Sequence, residues 1–135
     1  MSSPFVPPML AMMLLTLGVW MLALRNRVRE IRQRHIPLQS LAKARDVAAT
    51  FQDCEAMDNF NNLMQMPVLF YVLCLLLQQR DAAGFLFVAG AWLYVALRAL
   101  HSLEQLTSNR VRYRFYAWAG SSVVLFGLWM GMGFV

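Results

Sequence analysis

Charge is what this sequence has least of. Asp, Glu, Lys and Arg together make up 14% of its 135 residues, about half of the ~25% usual in soluble domains. That scarcity excludes a disordered chain, which needs many charges and few apolar side chains. With only two cysteines and two histidines, the chain has too few for a disulfide framework and lacks the spacing of a metal-ligand set. Cys54 and Cys74 fall on one predicted helix, about 30 Å apart at ~1.5 Å per residue. They are read as two free thiols. Internal repeats and low-complexity tracts are lacking too. What the chain has instead is apolar surface: 59% of residues are hydrophobic. A soluble domain this short has too little polar surface to cover so much apolar area. The composition points to an integral membrane protein.

Four charge-free runs carry that reading further: 1–24, 59–79, 82–97 and 115–135. A helix needs about 20 residues to cross a ~30 Å hydrocarbon layer. Three runs are long enough, and the third reaches that length only by taking in Arg98 and His101. The ten-residue alternation of a membrane barrel is missing, so each run is read as a helix that satisfies its own backbone. The expected fold is an all-α bundle of four transmembrane helices, forming one membrane domain over 1–135.

Basic residues set the expected orientation. Arg25, Arg27, Arg29, Arg32, Arg34, Lys43 and Arg45 lie in the first connection, and Arg98, Arg110, Arg112 and Arg114 lie around the third. Arg80 alone lies on the opposite side. The positive-inside rule places both basic connections in the cytoplasm and both termini outside it. The net charge of +5 is then a signature of topology rather than of nucleic-acid binding. No basic residue precedes the first apolar run and no cleavage site follows it, so that run is expected to be a retained anchor.

The long basic connection is expected to be ordered. Residues 25–35 read as a basic continuation of helix one or a surface stretch among acidic headgroups. From Ser40 to Met66 there is neither glycine nor proline. Ser40 reads as an N-cap, and helix two as starting near Leu41, projecting about 27 Å beyond the membrane and kinking at Pro67. A tight outer turn is expected over Gln78-Gln79-Arg80-Asp81.

Polar residues inside hydrocarbon are costly, so their placement is informative. On helix two, Glu55, Asp58, Asn59, Asn62 and Gln65 or Met66 recur at three- and four-residue spacing. Near the end of helix three, Arg98, His101, Ser102, Gln105, Asn109 and Arg112 form a second stripe. Two stripes at one depth should face each other. The plainer reading is interhelical hydrogen bonding that holds the bundle together. The cationic excess points instead to an anionic ligand at the cytoplasmic boundary, since Asp58 and Glu104 neutralise only part of it.

The order of residues around these stripes is specific. The run Asn59-Phe60-Asn61-Asn62-Leu63-Met64-Gln65-Met66-Pro67-Val68-Leu69-Phe70-Tyr71 resembles the helix-two signature of bacterial members of the MAPEG family (membrane-associated proteins in eicosanoid and glutathione metabolism). Arg98-Ala99-Leu100-His101-Ser102, followed by Asn109, Val111, Arg114 and Phe115, resembles the signature of helices three and four. The resemblance covers essentially the whole chain. It implies a homotrimer of four-helix protomers that binds glutathione between subunits on the cytoplasmic side, as a co-substrate against lipophilic electrophiles or hydroperoxides from the lipid. It also implies a catalytic arginine near the start of helix four, Arg114 ahead of Arg110. The implied glutathione-binding set is Asn62, Gln65, Arg98, His101, Ser102, Asn109 and Arg110, with Arg25 or Arg29 for a carboxylate. The chemistry has its own logic: a thiol titrates near ~8.5, and a fixed cation beside it lowers that value. Tyr113 and Tyr116 are read as interfacial anchors.

This chain also departs from that pattern. Gln65 stands where the family has a glutamate, Asp58 where several relatives have an arginine, and Gln105 where many have histidine or tyrosine. These departures sustain an alternative: a non-catalytic trimer of the same fold that binds lipid or acts as a scaffold. A small transporter subunit has less support, because the polar residues end at one membrane face and helix four offers only Ser121 and Ser122 beyond Arg114.

Overall fold

Where the chain crosses is decided by the length of its apolar helices. The computed structural model describes residues 3–134. It contains α1 (Val6–Arg34), α2 (Ala44–Thr50), α3 (Glu55–Leu63), α4 (Met66–Gln79), α5 (Phe85–Leu106) and α6 (Val111–Met132), and no strand among the described residues. Four stretches are long and apolar enough to span a membrane: α1, α3 with α4, α5, and α6. The protein is an all-helical integral membrane protein. α1, at 29 residues, is about 44 Å long and outreaches a ~30 Å hydrocarbon layer, so its basic last third continues beyond the membrane. α5 runs unbroken through Arg98 and His101, as the short third run requires.

The four spans alternate in direction. One end gathers the start of α1, the end of α4 and the end of α6. There Arg80, the only basic residue of that end, donates to the Met132 carbonyl at 3.2 Å and so caps the negative terminus of α6. The other end, called here the basic end, gathers the tail of α1, the start of α3, the end of α5 and the start of α6. α5 and α6 form the closest pair, while α1 packs on α3 and α5. A Cβ on Gly90 would stand 2.6 Å from Leu128 Cδ2, so the glycine leaves the space that the Leu128 side chain fills at the α5–α6 seam. The core is Met12, Phe70, Leu73, Leu77, Tyr94 and Leu125, whereas Leu14, Met21, Leu75 and Val123 stay exposed. Outward apolar side chains of this kind suit a lipid surround.

Three of these helices end on a non-glycine residue in the left-handed region: His35 (φ 50), Asp81 (φ 55) and Asn109 (φ 46). Each is of a type that tolerates αL. In each case the end is closed by a backbone bond reaching back five residues: Ile36 N–H to the Ile31 carbonyl (3.1 Å), Ala82 N–H to Leu77 (2.9 Å) and Asn109 N–H to Glu104 (2.6 Å). The tight outer turn falls at Arg80–Asp81, inside the expected run.

Helix two departs from expectation. Instead of one helix from Leu41, the chain forms a 3-10 turn over Leu38–Leu41, then α2, an extended break at Phe51, and α3. Ser40 caps no helix, because its hydroxyl donates to the Pro37 carbonyl at 2.7 Å. The break has a distant cause. Glu30 on α1 accepts the Gln52 N–H at 3.0 Å and the Asp53 N–H at 3.4 Å. Arg34 donates to the Thr50 carbonyl at 2.6 Å, and Arg27 lies 4.6 Å over the buried Phe51 ring. These contacts strap residues 50–53 onto α1 and outweigh local helix propensity. The second interruption is the expected one. α4 restarts at Met66 with Pro67 in its first turn, because proline lacks an N–H and its ring clashes with the carbonyl four residues back.

Candidate functional site

The stripes on α3 and α5 face each other, through some of their members only. Ser102 donates to Asn59 Oδ1 at 3.1 Å, and Asn59 Nδ2 returns a 3.5 Å bond to the Ser102 carbonyl. One turn away, Arg98 Nη2 donates to the Asn62 carbonyl at 3.3 Å and to Asn62 Oδ1 at 3.2 Å. Asn59, Arg98 and Ser102 are buried inside the protomer. Glu55, Asp58 and Gln65 on the same stripe are exposed. Gln65 sits at the α3–α4 break with φ −99 and ψ −94, so the unwinding ahead of Pro67 turns it out of the stripe. Its side chain makes no hydrogen bond among the described residues.

The structure places six of the ten sequence-predicted residues in two adjoining depressions at the basic end. One, of ≈270 Å³, is lined by Asn62, His101, Val111, Arg114, Phe115 and Trp118. Here His101 Nδ1 lies 2.9 Å from the Arg114 carbonyl. A carbonyl only accepts, so Nδ1 carries the proton in that bond, and in the neutral ring Nε2 is then an acceptor. Arg114 Nη1 donates to Asn109 Oδ1 at 2.8 Å, and no carboxylate forms an ion pair with Arg114 among the described residues. The αL turn at Asn109 is what aims this amide oxygen at α6. The arginine is therefore fixed in position by a neutral partner, with its charge uncompensated.

The second depression, also ≈270 Å³, lies among α1, the start of α3 and the end of α5, and takes in Arg25, Arg29, Asp53, Glu55, Gln105 and Asn109. Arg29 and Asp53 stand 3.6 Å apart and are partly exposed, so their attraction is modest. Partial burial, with the neighbouring Glu55 carboxyl, pushes the Asp53 carboxyl above its usual range. Burial, then Asp58 and Glu55, likewise pushes the Cys54 thiol up, which favours the unreactive protonated form. Asn109 belongs to both features, lining this mouth and holding Arg114.

Arg110 joins neither depression. It is exposed, its guanidinium lies 5.9 Å from the Tyr113 ring centroid, and Arg112 similarly overlies Tyr116. Reading the sequence missed Tyr94, which is fully buried beside Arg98, and missed the Glu30 and Asp53 contacts that shape the mouth. Tyr94 had a signal: it lies four residues before Arg98 on the same helical face. The tertiary strap had none. A further depression, of ≈530 Å³ between α1 and α3–α4, is apolar and lined by residues such as Met13, Trp20, Phe60 and Tyr71. None of the predicted site residues borders it.

With that geometry in place, comparison with known proteins is decisive at the level of family. The model of the MAPEG family matches residues 6–134. The chain belongs to the MAPEG family. No curated protein and no solved structure matches it. The MAPEG match spans all four membrane helices and both depressions, so the Asn62, His101 and Arg114 cluster lies within the family's own framework and not in an added segment.

Proposed function

We propose that this MAPEG protein is a glutathione-dependent membrane transferase or peroxidase. Glutathione is the co-substrate, and the second substrate is a lipophilic electrophile or hydroperoxide dissolved in the bilayer. The observation that carries the reading is Arg114, a guanidinium held by the neutral Asn109 amide and facing His101 and Asn62 across a small depression. Its unneutralised charge favours a thiolate over a thiol. Arg25 and Arg29, at the adjoining mouth, supply cations for a glutathione carboxylate. In conjugation the thiolate sulfur attacks an electrophilic carbon and displaces its leaving group. With a hydroperoxide it attacks the terminal oxygen and breaks the O–O bond, and the alkoxide leaves and takes a proton to become the alcohol. The glutathione sulfenic acid so formed condenses with a second glutathione to give the disulfide and water.

The proposed assembly is a homotrimer surrounded by lipid, one four-helix unit per chain. It lies in a bacterial inner membrane with the basic end and the site facing the cytoplasm and both termini outside. Family membership and the basic asymmetry support this arrangement. A second reading, a non-catalytic lipid-binding or scaffold protein, is favoured by the outward Gln65 and by the exposed Asp58. Calorimetric titration of the detergent-solubilised protein with glutathione, followed by a conjugation assay with an aromatic electrophile, separates the two. The transferase reading expects saturable binding and turnover, and the scaffold reading expects neither.

A further inference from the structure

Arg98 is the largest fully buried side chain in the protomer. Nη2 is occupied by Asn62, but Nε and Nη1 are buried without a hydrogen-bond partner among the described residues. One turn earlier on the same face of α5, the Tyr94 hydroxyl is also buried and unpartnered. It is not free to swing away, because the Tyr94 ring stacks on Phe70 with centroids 4.7 Å apart. A guanidinium does not lose its proton in a protein. The ion pairs among the described residues are Arg29–Asp53 and Arg34–Glu30, so no carboxylate neutralises Arg98. The position where the family resemblance expects an acid, Gln65, is neutral and turned outward. A buried charge left in this condition is strongly destabilising.

We propose that Arg98 and Tyr94 form an internal binding site for a small inorganic anion of the halide class, within a single protomer. Every unpartnered group at this level is a donor: one N–H on Nε, two on Nη1 and the tyrosine O–H. Such a set recognises negative charge and rejects cations and zwitterions. Full burial of Tyr94, Arg98 and Phe70 favours a monatomic ion over phosphate or sulfate. The neighbouring Asn59–Ser102 pair closes on itself and does not compete for the ion. Toward the basic end, the unpartnered acceptors His101 Nε2 and Gln105 Oε1 follow on the same helix, and Gln105 reaches the arginine-edged mouth. The bound anion does for Arg98 what a glutamate would do: it neutralises the charge that fastens α5 to Asn62.

The test is thermal unfolding of the detergent-solubilised protein, without glutathione, as chloride or bromide replaces gluconate at constant ionic strength. The expected result is a saturable rise in melting temperature with halide. Tyr94→Phe should raise the half-saturating concentration by about ten-fold or more, the loss of one hydrogen bond to a charged group. In gluconate the same variant should be no less stable than wild type, because it has lost only an unpartnered buried hydroxyl. Arg98→Gln should abolish the response; should that variant fail to fold, Tyr94→Phe still decides. A melting temperature set by ionic strength alone, or an identical halide response in wild type and Tyr94→Phe, overturns the site and assigns these donors to internal water. Adding glutathione should leave the halide half-saturation unmoved. Competition would hand the site to a ligand carboxylate and overturn the inorganic assignment.

Discussion

Between α3 and α5 lie two polar layers one helical turn apart, made from similar residues and ending differently. In the Asn59–Ser102 layer both side-chain partners are neutral, buried and bonded to each other. In the Asn62–Arg98 layer an asparagine meets a cation whose hydrogen-bonding capacity it only half fills. The first layer behaves as interhelical glue. The second is left with donors and charge to spend on something else. Polar residues in a membrane helix are therefore not informative by count alone; the useful question is whether each buried group closes its hydrogen bonds within the protein.

Breaking the two layers should give different losses. Asn62→Ala removes an acceptor from a buried guanidinium and should cost about 2–3 kcal/mol, the upper range for hydrogen bonds to charged groups. Ser102→Ala should cost about 1 kcal/mol, somewhat above the ~0.6 average for hydrogen bonds within membranes, because it leaves the buried Asn59 Oδ1 without its donor. Reversible unfolding in mixed micelles measures both. Equal losses would erase the distinction between the layers. The double replacement Asn59→Leu with Ser102→Ala sharpens it: a closed neutral pair removed whole should cost less than Ser102→Ala alone, since no orphan remains.

Asn109 separates geometry from electrostatics. Asn109→Gly suits the left-handed turn but frees Arg114, whereas Asn109→Ala loses the amide and also strains the turn by about 1–2 kcal/mol. The expected outcome is near-native stability for the glycine variant, a lower melting temperature for the alanine variant, and altered glutathione turnover in both.

The smallest effects belong to the strap. Glu30→Gln should speed hydrogen exchange at the Gln52 and Asp53 amides, read by mass spectrometry, with little change in global melting. Asp53 has the opposite sign. Its carboxyl titrates above its usual range when folded, so its charged form disfavours the docked strap. The strap should hold best below the unfolded value and loosen as pH rises through the folded one. Asp53→Asn should then slow exchange near neutral pH and flatten that dependence.

Much of the fold was legible because the bilayer imposes it. Run lengths marked four spans, including the short third one, and Pro67 marked the break in the second. That the stripes of α3 and α5 face each other followed from helical spacing; which residue meets which did not, since spacing fixes a face and not the register between two helices. The break at Phe51 was not legible, since Glu30 lies more than twenty residues away and no glycine or proline announces it. Nor was the outward turn of Gln65, which places the stripe's last member beyond reach of Arg98. The family resemblance implied one set containing Arg25, Arg29, Asn109 and Arg114; only the tertiary structure divides it into two depressions, with Asn109 lining one and holding Arg114 of the other.

The central claim is that Arg114 stabilises the thiolate of bound glutathione. Ultraviolet thiolate absorbance, titrated against pH for glutathione bound to wild type and to Arg114→Ala, tests it most directly. The account predicts a higher thiol pKa in the variant, with turnover that falls near neutral pH and partly recovers in alkaline buffer. Each ten-fold loss of thiol acidity corresponds to ~1.4 kcal/mol of lost thiolate stabilisation. Arg114→Lys should fall between the two, keeping the charge but not the planar fork. An unmoved titration, in a variant that still binds glutathione, would contradict it.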